Sequence, residues 1–388
     1  MNSNLKHLSQ LLVLAAVPFI AGSCSDKNDD VEPVTPDENL NEKALAAANR
    51  LFVEQTVQPT YEGLAQSTAQ MIEALESFGS DGSQSSLEQA TEAWKEARQY
   101  WEWSEAFLFG AASGYGIDPH IDTWPFDAAS FTTYMSKYQP ATDEDDASLM
   151  SEAIAPGQNL TGFHAVEYLL FRDGQVRPAD EVTADELWFC LEASHDLYLS
   201  ASKLVSAWNG RLDQSMQTVL EEAEFEPAAF GEEFIGAGQA GSRWSTISLA
   251  SVNIIEGCQD IIDEVAHSKI GAPYTGEDVS YIESPHAWNS ITDFYDNIMS
   301  CKHALYGLSP SVSNYTAKSP ATGSLMAYCQ ANYPTEAAAA IQALDHALEQ
   351  VGSMRRPFVN YYSDGSAGAA IDALEQLDDA LGALKRCL

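Results

Sequence analysis

Apolar residues recur with a helical period along nearly the whole chain, and the alternation expected of strands never persists. Ala44, Leu45, Ala48, Phe52, Val53 and Val57, followed by Leu64, Met71, Ile72 and Leu75, predict a long helix over 41–78 with a kink at Pro59. Ser85-Ser86-Leu87-Glu88 opens a second helix, which the pattern carries to about Phe109 before Gly110 to Gly116 interrupt it. Further helices are predicted over 142–155, 160–172 and 183–208, the last beginning at a Thr183 cap. Beyond an acidic stretch broken by Pro227 and Gly231, helices follow over 241–267, 285–306, 323–332, 335–352 and 368–387. The pattern predicts an all-α fold of two helical-bundle domains, 42–209 and 241–388, with a linker region at 210–240. A diverged duplication of a four-helix bundle would produce that arrangement. No unit of 20–50 residues repeats, which argues against a solenoid.

The N-terminal segment changes the picture of where the protein works. Residues 1–23 combine a weakly basic start at Lys6 and His7, an apolar run from Leu11 to Ile20, and small residues before Cys24. This resembles a bacterial lipoprotein signal, with Cys24 as the lipidated first residue of the mature chain. Ser25 to Asp30 resembles the acidic stretch that sends such lipoproteins to the outer membrane, even to its outer face. An ordinary secretion signal is the alternative, and either places the mature protein outside the cytoplasm. Residues 24–41, rich in Pro, Asp, Glu and Asn, read as a disordered tether. No later run of 18 apolar residues follows, so the lipid would be the membrane attachment.

The formal net charge of −38 argues against nucleic-acid binding and against electrostatic adhesion to anionic lipid. It would either concentrate cations near the surface or simply maintain solubility. Five cysteines follow Cys24, widely spaced and without a C-x-x-C pair, so a zinc ribbon or dithiol redox motif is excluded while one or two disulfides stay open.

Two stretches contain ionisable residues that packing does not require. The first is Leu160 to Phe171, apolar almost throughout and therefore read as a buried helix, in which His164 and Glu167 share a face at spacing i, i+3. Its position near the helix start favours a neutral imidazole. H-x-x-E alone is a weak signal, because His346 and Glu349 repeat it in an amphipathic helix where a solvated ion pair suffices. In the greasy segment the pair is either a buried hydrogen-bonded couple or a pair of ligands. The second stretch is the 85–109 helix, where Trp94, Arg98, Trp101 and Glu105 fall on one face. Arg98 and Glu105 are either rim charges whose stems cover the tryptophans or members of a site. Between these stretches, Ile121-Asp122-Thr123-Trp124-Pro125 lies in a long connection of the kind that lines sites.

With AWKEAR…SEAFLFG from Trp94 to Gly110, the I-D-x-W-P loop, G-F-H-A-V-E-Y-L-L-F, and Glu283 to Gly307, the chain resembles the imelysin family. The family's G-x-H-x-x-E motif falls on Gly162, His164 and Glu167. The resemblance implies an extracytoplasmic helical protein of two bundle-like halves, tied to bacterial iron acquisition, in a family named for a reported peptidase activity. The sequence departs at Ala287, where the E-S-x-x-S-x-N-S pattern has a serine, which weakens a site role for that segment although Glu283, Asn289 and Ser290 match.

Neither H-E-x-x-H nor G-x-S-x-G occurs. The expectation is a lipid-anchored protein binding iron or an iron-containing small ligand, with zinc also compatible, and working with other envelope iron-uptake components. His164, Glu167 and Glu105 are the expected metal ligands, since one imidazole and two carboxylates suit iron, manganese or zinc. Arg98, Asp122 and Trp124 are expected around the bound ligand, Arg98 orienting a carboxylate or anionic chelator and Trp124 walling the pocket. A metallopeptidase using the same residues and a partner-binding surface lipoprotein without a metal are the competing expectations.

Overall fold

The computed structural model describes residues 36–136, 153 and 160–388. The leader, Cys24, most of the tether and the helix expected over 142–155 lie outside the described residues. The chain is helical from Pro36, so residues 36–41, read above as tether, belong to the first helix. That helix, α1 (Pro36–Leu51), passes through a wide π turn at Phe52–Val57 into α2 (Gln58–Asp81). Pro59 explains the wide turn: it has no N–H to close the ladder, and a longer hydrogen-bonded turn just ahead of it absorbs the mismatch. α2 ends at Gly82 in the left-handed conformation, and Ser83 caps α3 (Gln84–Glu102) by accepting from the Ser86 N–H.

α3 is shorter than the periodicity predicts. It stops at Glu102, and Glu105 sits in a single 3₁₀ turn, Glu105–Phe107, rather than one helical turn beyond Trp101. The hydrogen bonds from Ser104 N to Trp101 O and from Phe107 N to Ser104 O tighten the chain out of the α ladder. The greasy segment forms α4 (Gly162–Leu170), also ending early. Gly174 is not its cap. With Asp173 it makes a turn of two positive-φ residues, which pairs Phe171 with Val176 and Arg172 with Gln175 in a two-residue antiparallel hairpin. α5 (Ala184–Ala207) begins with the capping box of Thr183 and Glu186.

The second half repeats the device of the first. α6 (Ile247–Asp263) continues through a π segment, Glu264–Gly271, immediately before Pro273. α7 (Ser290–Tyr306), α8 (Pro334–Gly352) and α9 (Gly365–Lys385) follow. α2 packs on α3 and α5, while α6, α7, α8 and α9 pack among themselves. α1 lies against α6, and α3 against both α4 and α7, so the buried apolar side chains form one continuous cluster. All-α architecture is therefore observed. No helix among the described residues is long and apolar enough to cross a membrane.

Gly162 fixes how α4 meets the loop before it. Its φ is +78°, and a Cβ there would lie 2.4 Å from the Ile121 carbonyl oxygen, next to Asp122. Gly162→Ala is expected to reduce unfolding free energy in urea by about 1–3 kcal/mol beyond any surface effect. Gly82→Ala, also at positive φ but with no atom within 4 Å, is expected to lose less.

Candidate metal centre

The Arg98 guanidinium has no exposed surface. Trp94, Arg98 and Trp101 do share the inward face of α3, so Arg98 is no rim charge. Its Nη1 is 2.7 Å from Asp122 Oδ1, and its Nη2 is 2.5 Å from both Glu102 Oε1 and Glu283 Oε1. Asp293 of α7 lies 3.9 Å from Nε, and the Phe163 ring faces the guanidinium at 5.6 Å. Trp101 Nε1 donates to Asp122 Oδ2 at 3.0 Å and fixes that carboxylate from the other side. A second buried cation, Lys269, comes from the π segment after α6 and donates to Glu283 Oε1 at 3.1 Å. Asn297 closes the far side by donating to Glu102 Oε2.

His164 enters this cluster from α4. Its Nδ1 is 3.1 Å from Glu167 Oε2, and the other oxygen of Glu167 accepts the backbone N–H groups of His286 and Ala287 at 2.7 and 2.8 Å. A carboxylate so held can only accept, so Nδ1 carries a proton and Nε2 points into the cluster. Nε2 is 3.0 Å from Asp122 Oδ1 and 3.9 Å from Glu283 Oε1. The Asp122 approach is close but off the N–H direction, leaving Nε2 buried without an aligned hydrogen bond. Glu283 Oε2 and Glu102 Oε1 are buried in the same condition. One ligand atom each from Asp122, His164 and Glu283 lies within 4.8 Å of the others, and Glu102, Glu105 and Asp122 form a second such group. Buried carboxylate oxygens left without a hydrogen bond, drawn from separate chain segments, fit a cation.

The electrostatics point the same way. Burial drives the Glu102 and Glu105 carboxyls well above their ordinary range. Asp118 is pushed up to about 7 by burial and by the neighbouring Asp122 and Glu264, and Asp293 to about 7 by burial against the opposing pull of Arg98. Burial also raises Asp122, yet Arg98 and His164 hold it well below its ordinary value. For His164, burial and Arg98 favour the neutral ring, but the Asp122 and Glu167 carboxylates outweigh them and raise it to about 9. The sequence reading expected a neutral imidazole from the helix N-terminus. These adjacent carboxylates reverse it, and an incoming metal would displace the Nε2 proton.

The sequence profile of the imelysin family matches residues 57–384. The chain belongs to the imelysin family. Iron-regulated protein A of Synechococcus elongatus is 30% identical over 246 residues, 63% of this chain and 60% of that protein. The chain thus spans about 60% of the length of this curated relative. The crystal structure of a protein described as an iron-regulated protein A precursor, from Parabacteroides distasonis, aligns with a TM-score of 0.75 at 26% identity, covering 92% of this chain and 96% of its own. An imelysin-like protein from Psychrobacter arcticum shares the fold at a TM-score of 0.55 and 13% identity, over 89% of this chain and 93% of its own.

Within this imelysin fold, His164 and Asp122 meet directly, and Arg98 orients carboxylates. Glu167 is placed on the opposite ring nitrogen, both its oxygens engaged, a position that favours aiming the ring over binding metal beside Nε2. Glu105 groups with Glu102 rather than with His164. Trp124 packs its ring against Tyr281 at 4.6 Å and stands 5.9 Å from Lys269 Nζ. Sequence reasoning missed Glu102, Lys269 and Asp293, and Ala287 drew attention away from Glu283. The Arg98 and Glu102 spacing, i and i+4 on a helix with two buried tryptophans, carried a signal for one of them.

These shifts set a pH dependence. Between the ordinary aspartate value of 3.8 and about 7, Asp118 and Asp293 bind more protons folded than unfolded, so stability falls as pH rises through that window. His164, raised from 6.5 to about 9, adds a loss of the same sign between those values. Chelator-treated protein is expected to melt at progressively lower temperature from pH 5 to 9. Asp293→Asn is expected to flatten the lower half of that slope, as measured by circular dichroism.

Proposed function

We propose that this protein is a lipid-anchored component of bacterial iron acquisition that binds iron, or a small iron-containing ligand, through His164, Asp122 and Glu283. The observation that carries the reading is the convergence of His164 Nε2 with Asp122 and Glu283 from distant segments, with His164 Nε2 and Glu283 Oε2 both buried and without a hydrogen-bond partner. An imidazole with two carboxylates suits iron, manganese or zinc. Glu167 aims the ring, while Arg98 and Lys269 hold the carboxylates and lower the repulsion among them. The relatives named for iron regulation support the choice of iron among compatible metals. The leader-like segment ending at Cys24 supports attachment in the cell envelope, at the outer membrane.

Isothermal calorimetry tests the centre. His164→Ala is expected to abolish measurable binding of ferrous iron and zinc, and unchanged affinity would remove the assignment. Glu167→Gln is expected to weaken binding by about 10- to 100-fold, the range for a group that orients a histidine ligand. Cys24→Ser is expected to move the protein from the membrane fraction to the soluble envelope fraction on cell fractionation.

A further inference from the structure

Resting on the reading that this centre binds a cation, we propose that it takes two divalent ions, with Asp122 as the carboxylate they share. Two groups of ligand atoms have the required closeness, His164 with Asp122 and Glu283, and Glu102 with Glu105 and Asp122, and Asp122 belongs to both. Each group has its own unsatisfied buried acceptor. Glu283 Oε2 serves the first, and Glu102 Oε1 the second, since its 2.5 Å approach to Arg98 Nη2 is not an aligned hydrogen bond.

Charge supplies a separate argument. The carboxyl groups of Glu102, Asp122, Glu283 and Asp293 lie within 4 Å of Arg98 or Lys269, and the buried Glu105 groups with two of them. Carboxyl groups thus outnumber the two permanent cations in a region from which water is excluded. Divalent ions would supply positive charge that the two side-chain cations do not. A shared carboxylate is the usual way to hold a pair of ions about 3.5–4 Å apart. The two positions differ in kind. The first has an imidazole and the second only oxygen ligands, so the second is the weaker and fills last.

Mature protein stripped by chelator is dialysed against ferrous iron without oxygen, and bound iron per chain is counted by elemental analysis. The expected result is two ions for the wild type, in two steps of different affinity, and one for Glu105→Gln. Circular dichroism establishes that the variant folds, and Glu102→Gln replaces it if it does not. A single ion in the wild type overturns the two-ion inference and leaves the proposed function standing. No bound iron overturns both. Two ions in the wild type and in the folded variant overturn the assignment of Glu102 and Glu105. If neither variant folds, the wild-type count alone decides.

Discussion

Taking Arg98 out of water is the constraint from which the rest of the centre follows. A guanidinium cannot lose its proton, so burial obliges the fold to bring carboxylates to it. They come from its own helix as Glu102, from the loop after it as Asp122, and from the second half of the chain as Glu283 and Asp293. Elements remote in sequence are thereby tied at one point, among the buried apolar side chains of the core. Lys269 does the same from the π segment that Pro273 induces after α6. A wide turn at this position places a long side chain inward, as such turns often do at functional positions.

The acid gathered around the two cations exceeds what they neutralise. That excess distinguishes the cluster from a structural ion-pair network, in which partners are matched and lone pairs are used. Here protons stand in for the missing positive charge, held on Asp118, Asp293 and His164 at values near neutrality or above. Glu167 shows how the imidazole is aimed. Its carboxylate is locked by the backbone of His286 and Ala287, within a loop where Ser284 and Trp288 both take positive φ. The substitution at Ala287 therefore leaves the loop's contribution intact, because it is the amide of residue 287 that binds Glu167.

Chain sequence by itself determined the helical class. The 3.6-residue recurrence of apolar side chains is a local property, and helix hydrogen bonds are local too, so α5 with its Thr183 cap and α9 with its leucine side could be read directly. His164, Glu167 and Arg98 were legible for a related reason: an ionisable group in a segment too apolar to face water requires an explanation. Helix ends were less legible where tertiary contacts set them, as at Glu102, after which a 3₁₀ turn carries Glu105 off the helical face.

Only the tertiary structure decided which acids meet the imidazole. Glu283 and Lys269 lie far along the chain from His164, and although a family pattern marks Glu283, no local periodicity shows that either reaches the imidazole. The division of labour between Glu167 and Asp122 was equally beyond the sequence, because it depends on which ring nitrogen each carboxylate approaches. Periodicity reports which face of a helix is buried. It does not report what is buried opposite, and the chemistry of this centre lies in that pairing.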